Sequence, residues 1–588
     1  MTQKNKPQNS KKTMLRLFSY LSKEEKTLPL IVVLLILNIV CTLATSYLLR
    51  PLINDYILPK KFNEFPFILT LLGSVYFLGV LVVFWQNRLL VHLGQNTITK
   101  LRQELFEKME RLPIHFFDKH KHGDLMSRYT NDMDRISEVL TDSLADLFVS
   151  ILMLISIFTI MLYISPLLTL IVFITIPLMF LAVQKIVKRS RLYFQNQQKS
   201  MGELNGYIEE MIGGSSVIKV FNHEEKVKKD FRELNNKLND ESEKAQLYSG
   251  MMMPLMQNFN TLNYVFITVI GASLAITQRL DVGGLASFIQ YSRQFGGPVN
   301  QLATLYNNLQ SALASAERVF ALLDSEPELK DGRNTISIEP IKGTLDFENV
   351  VFGYTPDKTI LKGISFHVPA GNKIALVGPT GAGKTTIFNL LPRFYDINAG
   401  DIKIDNQSIY KIKRKELRQN ITLVLQDTHL FSGTIKENIR YGNPSATDCE
   451  IIEAAKLATA HSFISTLPQG YNTQLENDGS NLSQGQRQLL NIARATIANP
   501  QILLLDEATS NIDSQSERLI QKGLNRLMEG KTTLIIAHRL STVRNVDKIL
   551  VIENGQIVEE GNHEELIAKK GVYESLYKEQ YFNGNPII

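Results

Sequence analysis

The residues with the clearest chemistry form a glycine-rich segment in the second half of the chain. It has the spacing G-x-x-x-x-G-K-[ST] and comprises Gly378, Pro379, Thr380, Gly381, Ala382, Gly383, Lys384, Thr385 and Thr386. Such glycines let backbone N–H groups curl around phosphate oxygens, while the lysine reaches the β- and γ-phosphates and a threonine hydroxyl ligates Mg²⁺. Because the apolar run Ile374–Val377 precedes the segment and Ile387–Leu391 follows it, we predict a phosphate-binding strand-to-helix turn.

Two segments further along the chain add chemistry that fits a bound nucleotide. One contains Ser483, Gln484, Gly485 and Gln486, and the other is the apolar run Gln501–Leu505, which leads into Asp506 and Glu507. An ionised carboxylate at the end of a buried strand is costly unless it is paired, so Asp506 is predicted to hold a metal ion. Glu507 is placed to polarise an attacking water as a general base. Together the three segments leave little room for a chance match to the phosphate-binding pattern.

The first half of the chain has a different character. At 588 residues the chain is too long for one core, and its apolar residues are unevenly distributed. The stretches Leu28–Leu49, Phe65–Asn87 and Leu147–Gln184 contain no charged residue, and Ser165-Pro166 interrupts the last of them. Uncharged apolar runs of about 20 residues fit a bilayer span. A single run also fits a buried core helix, but several in succession favour a membrane domain.

Six membrane spans can be placed by this criterion. They are Leu28–Leu49, Phe65–Asn87, Leu147–Ile164, Leu167–Gln184, Met256–Thr277 and Val282–Leu305. The sixth is weak by hydropathy because it carries Gln290, Arg293, Gln294 and Asn300. The outer loops are short, whereas the inner connections Arg88–Asp146 and Lys185–Leu247 are long, charged and helix-patterned. Thirty-residue arms out and back would reach roughly 40 Å from the bilayer at about 1.5 Å per residue.

Charge and cysteine content narrow the possible classes of protein. The net charge of +5 does not indicate nucleic acid, and Cys41 and Cys449 cannot form a disulfide framework. Basic residues crowd the N-terminus, which predicts that this end lies in the cytoplasm. We predict a disordered basic tail over residues 1–13, a transmembrane domain over 14–323 that begins with an amphipathic helix at Met14–Leu21, a linker over 324–342 and an α/β nucleotide domain over 343–582.

At this level of detail the chain resembles a half-size ATP-binding cassette (ABC) exporter, from about Met14 onward. Further motifs occur in the order found in that family. Tyr354 matches the aromatic residue that stacks on adenine, and Gln426 matches a glutamine that ligates Mg²⁺ and senses the nucleotide. His538 resembles the switch histidine that contacts the γ-phosphate. Asp513 lies in a segment that resembles the loop that links the two nucleotide sites of a dimer.

The resemblance implies a fold, cofactors and a location. The expected fold is an all-α six-span transmembrane domain followed by an α/β P-loop ABC-type nucleotide-binding domain. The expected cofactors are ATP and Mg²⁺. The expected location is the plasma membrane of a bacterium, with the nucleotide domain in the cytoplasm. In this family the segment Ser483–Gln486 closes on ATP held by the partner subunit, so the resemblance also implies a dimer.

One departure from the family pattern concerns the partner. The usual signature is Leu-Ser-Gly-Gly-Gln, and here Gln484 replaces its first glycine while Asp506 and Glu507 are intact. This combination resembles the catalytic-glutamate subunit of heterodimeric bacterial multidrug exporters, whose partner carries the regular signature. We therefore expect a different, homologous partner chain. A homodimer that tolerates the glutamine is the alternative.

The membrane half gives fewer indications of the substrate. The segment from Phe116 to Arg128 and the segment Phe221–Glu225 resemble the family's contacts to the groove beside Gln426. Met251, Met252, Met253 and Met256 suit a surface that adapts to varied apolar ligands, although helix packing with interhelical hydrogen bonds explains them more simply. Arg293 is costly in lipid, so it should face a cavity or a partner carboxylate.

We expect ATP-driven export of amphipathic or hydrophobic compounds, with multidrug efflux as the leading interpretation. A lipid flippase or a peptide exporter of the same architecture stays open. A regulator or a channel that transports nothing also stays open. The intact Glu507 argues against that class, because it indicates ATP turnover.

Overall fold

The chain forms two units of different architecture in the computed structural model. The structure describes residues 9–21, 27–328, 331, 337, 341–425, 428–506, 513–537 and 543–581. The first unit comprises Met1–Glu110 and His122–Ser325, and the second comprises Arg111–Lys121 and Glu326–Ile588. The predicted fold class, a helical membrane domain followed by an α/β domain, is confirmed.

Six helices carry the predicted membrane spans, and we call them spans one to six. They are Thr27–Tyr47, Phe65–Met109, Leu144–Ile164, Pro166–Gly213, Met252–Ile276 and Val282–Leu323. Within the part of the chain that the structure describes, five helices are long and apolar enough to cross a membrane, and they contain spans one to five. Span six lies outside that set, as its polar residues predict. Its length of 42 residues is nevertheless ample for a crossing.

Spans two and four continue far beyond their apolar parts. Span two has 45 residues and span four has 48, and the helix Glu224–Gly250 leads on to span five. The stretch after Asn87 in span two adds about 33 Å of helix at about 1.5 Å per residue. The long charged connections predicted from the sequence are therefore helical extensions of the spans.

Polar contacts fix the outer ends of the spans. Ser165 ends span three and caps span four, since its side chain accepts a hydrogen bond from the Leu168 N–H at 3.4 Å. Asp281 precedes span six and accepts from Arg50 Nη2 at 2.5 Å and from Asn54 Nδ2 at 2.6 Å. The charged group at this turn is thus paired with a residue near the end of span one.

The remaining elements of the first unit are short, apart from the N-terminal helix. They are the helices Ser10–Leu21, Leu49–Pro51, His122–Ser127, Met133–Glu138 and Ser215–Val220, and the π-helical segments Leu52–Ile57, Arg128–Asp132 and Val139–Ser143. The N-terminal helix begins at Ser10, inside the predicted tail, rather than at Met14. The reason is tertiary: the Asn9 N–H donates to Glu317 Oε1 at 2.7 Å, and Leu17 and Leu21 are buried.

Two sheets form the framework of the second unit. The strands are β1 Leu345–Phe352, β2 Leu361–Val368, β3 Lys373–Val377, β4 Ala399–Ile404, β5 Gln407–Ser408, β6 Ile421–Val424, β7 Gly433–Thr434, β8 Gln474–Leu475, β9 Ile502–Asp506, β10 Thr532–Ile536, β11 Lys548–Glu553 and β12 Gln556–Gly561. The larger sheet has the order β12-β11-β3-β10-β9-β6 and is parallel except for β12. A smaller antiparallel sheet has the order β2-β1-β4-β5, and β7 pairs with β8.

The larger sheet is buried on both faces, which explains its continuous apolar strands. Ile374 and Leu376 of β3 pack in one cluster with Phe347 of the smaller sheet, whereas Ala375 packs in a second cluster with Leu489 of a covering helix. Successive side chains of a strand point to opposite faces, so β3 contributes to both clusters. A strand covered in this way places its carboxyl end at a shielded edge of the sheet.

Helices cover the sheets. They are Ile114–Lys119, Lys384–Leu390, Arg414–Asn420, Ile435–Arg440, Asp448–Leu457, His461–Thr466, Gln484–Ala498, Ser514–Leu527, His563–Lys569 and Val572–Tyr581, with 3₁₀ turns at Ile409–Lys411, Gly470–Asn472 and Asn477–Gly479. The helix Ile114–Lys119 belongs to this unit although its neighbours in the chain belong to the first. Most of the predicted linker falls outside the described residues.

Candidate nucleotide site

The glycine-rich segment forms a tight loop between β3 and the helix Lys384–Leu390. Gly378 has φ +156° and Gly383 has φ +107°. A Cβ atom at Gly378 would lie 2.1 Å from the carbonyl oxygen of Ile552, and one at Gly383 would lie 2.7 Å from the Leu361 side chain. No larger residue fits at either position, so the loop backbone approaches its surroundings more closely than any side chain permits.

Lys384 places its ammonium group inside this loop. Its Nζ donates to the carbonyl oxygens of Gly378 at 2.7 Å and Pro379 at 2.9 Å. The residue is buried, and desolvation lowers the pKa of its side chain, while the charge of Asp506 acts in the opposite direction. A phosphate in the loop supplies the negative charge that offsets this desolvation. The loop and its lysine therefore fit a phosphate group.

Asp506 lies at the carboxyl edge of the same sheet. In the strand register it is opposite Ile536 of β10, and Ile536 is opposite Leu376 of β3. The carboxylate is therefore close to the start of the glycine-rich loop, as the carboxyl ends of parallel strands meet at one edge. Thr385, the second residue of the following helix, is exposed.

The donors at this edge suit a magnesium ion that is shared with a nucleotide. In the portion of the chain that is described, no group of three histidine, cysteine or acidic side chains can hold a metal by itself. Mg²⁺ typically takes one or two carboxylates together with substrate phosphates and water, rather than a cage of protein ligands. Thr385 and Asp506 can supply the protein's share, which fits the metal predicted from the sequence.

Tyr354 stands beside the helix that follows the loop. Its hydroxyl donates to Thr386 Oγ1 at 3.3 Å and accepts from Asn389 Nδ2 at 3.2 Å. The Phe352 ring packs edge-on against it, with the ring centroids 5.0 Å apart, and 41 % of the tyrosine remains exposed. The ring is therefore fixed at its edges and open elsewhere, which is the condition for stacking on a planar base.

Ser483 caps the helix Gln484–Ala498. Its hydroxyl accepts from the Gln486 N–H at 3.2 Å, and the Gln486 side chain accepts from the Ser483 N–H at 3.0 Å, which makes a capping box. Gln484 is the first residue of the helix, and its side chain is exposed. Since the backbone here is helical, the glutamine causes no backbone strain. Any effect of Gln484 therefore depends on the residues or the ligand that its exposed side chain contacts.

Asp513 caps the helix Ser514–Leu527 in a similar way. Its carboxylate accepts from the Gln515 N–H at 3.1 Å and the Ser516 N–H at 2.9 Å. The hydrogen bond from Ser516 is the main cause that lowers the pKa of Asp513 below its ordinary value. Three other predicted site residues, Gln426, Glu507 and His538, lie outside the described residues.

Comparison with known proteins identifies the family of this fold. Residues 28–299 match the family described as ABC transporter transmembrane region, and residues 361–510 match the family described as ABC transporter. An uncharacterized ABC transporter ATP-binding protein, YfiC of Bacillus subtilis, is 44% identical over 98% of this chain and 95% of its own length. The chain belongs to the ABC exporter family.

Other relatives have names that state a cargo. A fatty acid ABC transporter ATP-binding/permease protein of Mycobacterium bovis is 44% identical over 86% of this chain and 80% of its own. An ATP-dependent lipid A-core flippase of Syntrophus aciditrophicus is 35% identical over 92% of this chain and 90% of its own. A bacterial Atm1-family ABC exporter, solved with ATP bound, is 28% identical, with a TM-score of 0.74 over 95% of this chain and 98% of that chain.

Membership settles the general activity of this exporter. The chain spans a membrane, its ABC domain binds ATP in the cytoplasm, and hydrolysis of the ATP is coupled to transport. ABC exporters work as dimers within the bilayer. The predictions of family, fold class, enzymatic activity and location are therefore confirmed.

One residue of the exporter's second unit was missed in the sequence. Tyr395 packs edge-on against Tyr354, with ring centroids 5.0 Å apart, and its hydroxyl donates to the Asp118 carboxylate. Burial, followed by the bond to Asp118, raises the pKa of Tyr395. Asp118 lies in a segment whose sequence resembles the family's contacts to the nucleotide domain. The tyrosine it contacts is 277 positions away, and no local spacing relates the two.

Proposed function

We propose that this exporter moves lipid-type amphiphiles, molecules with a long apolar chain and a polar headgroup, across the membrane. The observation that carries the proposal is the similarity to two transporters whose names state such cargo, a fatty acid transporter and a lipid A-core flippase. Both similarities extend over most of the chain, the membrane unit included. This class is the alternative that sequence analysis leaves open beside drugs.

A cavity in the membrane unit supports the proposal. It has a volume of roughly 390 Å³, within the range of ligand sites. Its lining residues come from spans one, two and six: Asn38, Cys41, Thr42, Thr45, Val75, Tyr76, Gly79, Val80, Val83 and Gln294. Gln294 Nε2 donates to Ser46 Oγ at 2.9 Å, while its Oε1 is buried and has no partner among the described residues. An apolar wall opposite amides and hydroxyls suits part of an acyl chain near its polar end.

The energy for this movement comes from the nucleotide site. We assign Lys384 and the glycine-rich loop to the phosphates of ATP, Tyr354 to the adenine, and Thr385 with Asp506 and Gln426 to Mg²⁺. We assign Glu507 as the general base and His538 as the γ-phosphate contact. When bound, Mg²⁺ neutralises charge that develops on the phosphates. The assignments of Lys384, Asp506 and Tyr354 are supported by the hydrogen bonds of the lysine within the loop, by the register of the aspartate at the carboxyl edge of the larger sheet and by the contacts of the tyrosine with the following helix.

Multidrug efflux is the second candidate. It is favoured by the methionines at the start of span five, of which Met251 and Met253 are exposed. Flexible thioether side chains adapt to apolar ligands of different shape. Transport of a lipophilic cation, together with no transport of a fatty acid, would favour this candidate.

The partner subunit is part of the proposal. We infer a different, homologous chain, because Gln484 alters the signature while Asp506 and Glu507 are intact. The exposed position of Gln484 at the first turn of its helix supports a role at a surface that meets another subunit. Expression alone and with candidate neighbours, followed by size measurement and ATPase assay, tests this. Full substrate-stimulated activity from the chain alone would contradict it, and so would an unchanged rate for Gln484→Gly in a demonstrated homodimer.

Substrate class is tested in lipid nanodiscs with the purified exporter. A long-chain fatty acid, a phospholipid and a lipophilic cationic dye are compared for stimulation of ATPase activity, and their movement is followed in proteoliposomes. The Glu507→Gln variant controls for leakage. We expect the two amphiphiles to stimulate hydrolysis and to move only in the wild type. Stimulation by the dye alone would refute the lipid proposal.

A further inference from the structure

Arg293 lies in the part of span six that is predicted to cross the bilayer. Arg293 comes eleven residues after Val282, where the span begins, so it lies about 17 Å along the helix at about 1.5 Å per residue. The hydrocarbon core of a bilayer is about 30 Å thick, which places the guanidinium near its middle. A charged side chain at this depth is costly and marks a functional site by default.

A small polar pocket surrounds this arginine. It has a volume of roughly 180 Å³ and is lined by Asn260, Asn263, Tyr264, Ile267, Ile289, Ser292 and Arg293, from spans five and six. It shares no lining residue with the larger cavity described above. A pocket of this size accepts a headgroup but not a whole amphiphile.

The charge of Arg293 has no anionic partner in the described part of the chain. Its guanidinium carbon lies 4.9 Å from the centroid of the Tyr264 ring, and no described carboxylate lies within ion-pair distance of it. Arg293 is exposed along the helix, whereas two partly buried arginines of the same unit are paired: Arg50 with Asp281, and Arg318 with Asp132. An anion that pairs with Arg293 must therefore come from outside the described part of the chain.

Neighbouring side chains are arranged to complete an anion site. Asn263 is held between three spans, since its Nδ2 donates to Ser292 Oγ at 3.2 Å and its Oδ1 accepts from Thr175 Oγ1 at 3.3 Å. Because Ser292 Oγ accepts that bond, its own O–H can donate into the pocket. The amide of Asn260 lies in the same lining. Together with the guanidinium fork, these donors match the oxygens of a carboxylate or phosphate.

We propose that the pocket of Arg293, Asn260, Asn263 and Ser292 binds the anionic headgroup of the transported amphiphile, a carboxylate or a phosphate. This inference rests on the proposed function and deepens it, because it makes the sign of the headgroup charge a condition for transport. A neutral amphiphile of equal chain length leaves the guanidinium and several donors without an anionic partner, and a site built for hydrogen bonding discriminates strongly against such a ligand.

The test compares charged and neutral ligands of the same chain length on wild type, Arg293→Gln and Arg293→Lys. The probes are a long-chain fatty acid, its primary amide and an alkyl phosphate, in nanodiscs of zwitterionic lipid, with acetate and inorganic phosphate as free-anion probes. The wild type should respond to the acid and the alkyl phosphate at about 10- to 100-fold lower concentration than to the amide. Arg293→Gln should remove that difference by weakening the responses to the acid and the alkyl phosphate, and Arg293→Lys should keep part of it. Arg279→Gln, in the exposed outer turn, is the matched control.

Other outcomes would overturn the inference in distinguishable ways. Equal stimulation by acid and amide in the wild type removes the headgroup site but leaves the proposed function standing. An absence of stimulation by every amphiphile removes the proposed function itself. Free anions as effective as amphiphiles identify a small-anion site. Dissociation of the Arg293→Gln dimer, measured by size, identifies a partner carboxylate instead.

A second measurement keeps the proposal testable if the variant does not fold. A photoreactive fatty acid is cross-linked to the wild-type exporter, and the labelled peptides are mapped. Label should appear in spans five and six, and excess acid should compete for it at concentrations where the amide does not. Label elsewhere, or equal competition by the amide, contradicts the proposal.

Discussion

Lys384 in the glycine-rich loop and Arg293 in span six are both cations at candidate ligand sites, and the chain holds them differently: Lys384 is buried, whereas Arg293 is exposed. The ammonium of Lys384 is bonded by two carbonyl oxygens from within six positions of it in the chain. The guanidinium of Arg293 faces an aromatic ring and amides that arrive on another helix. A local loop can be recognised from spacing alone, whereas a site assembled across helices cannot.

The two sites should also fail differently when they are altered. In the nucleotide site every chemical step passes through the same few groups, so removal of one should stop turnover. In the membrane pocket the charge of Arg293 distinguishes anionic from neutral substrates. Its removal should therefore change which amphiphiles stimulate hydrolysis, whereas the nucleotide site itself stays complete. The following substitutions in the nucleotide unit test that contrast.

The largest effect is expected for Glu507→Gln. It removes the general base and keeps the shape of the side chain, so ATP turnover should fall by about 100-fold or more while ATP still binds. Steady-state hydrolysis and nucleotide binding are measured on the same sample, and Glu529→Gln, an exposed change elsewhere in the unit, serves as control. Wild-type turnover in Glu507→Gln would refute the assignment and remove the contrast between the two sites.

Lys384→Met should be next in size. Loss of a charge-assisted contact to phosphate should weaken ATP binding by about 10- to 100-fold and abolish transport. The thermal midpoint without nucleotide should not fall, because desolvation lowers the pKa of Lys384 in the folded state and the buried charge therefore opposes folding at neutral pH. Calorimetric melting with and without ATP measures both effects, with the exposed Lys358→Met as control. Unchanged ATP affinity would show that the loop is not the working site.

Tyr354→Ala should raise the KM for ATP by about 10-fold and change kcat little, since stacking stabilises ground and transition states alike. Tyr354→Phe keeps the ring and loses only the hydrogen bonds to Thr386 and Asn389, so it should remain near wild type. Steady-state kinetics over a range of ATP concentrations separates the two parameters. A loss confined to kcat would indicate a structural role instead.

Tyr395→Phe tests the contact between Tyr395 and Asp118 rather than a residue that touches the nucleotide. The change removes the bond to Asp118 and keeps the ring against Tyr354. Asp118 lies in the segment Arg111–Lys121, whose chain neighbours on both sides belong to the membrane unit. We expect an unchanged KM for ATP and a drop of about 2- to 10-fold in the factor by which amphiphile stimulates hydrolysis.

The exposed Tyr441→Phe is the control for this link. Both variants are assayed with the same amphiphile over the same range of concentrations. Equal stimulation of Tyr395→Phe and wild type would show that the contact has no part in coupling.

The smallest effect concerns the helix cap at Asp513. Its folded-state pKa is lowered below the ordinary value of 3.8, so its charge stabilises the fold above about pH 3.8, and this contribution is lost as the pH falls through the folded-state pKa. Asp513→Asn also caps a helix but carries no charge. The thermal midpoint of the variant should be slightly lower than that of the wild type at neutral pH and equal to it at low pH. A difference that persists in acid would point to a cause other than the charge, with exposed Asp357→Asn as control.

Several features follow from the sequence alone because each depends on residues that are near one another in the chain. The glycine-rich loop, the strand that ends at Asp506 and the apolar spans are local patterns with a fixed backbone consequence. They were sufficient to predict the membrane and nucleotide halves and their order. The assignments of Gln426, Glu507 and His538 still rest on sequence, since these residues lie outside the described part of the structure.

Other features were decided by tertiary contacts. The N-terminal helix begins at Ser10 because Asn9 meets Glu317, and the helix Ile114–Lys119 belongs to the nucleotide unit because Asp118 meets Tyr395. The pocket of Arg293 exists because span five lays its asparagines beside span six. In each case the partners are separated in the chain, and only the packing of whole elements brings them together. Local spacing encodes the backbone of a loop or a helix, but the partner of a side chain is set by which surfaces the fold buries against each other.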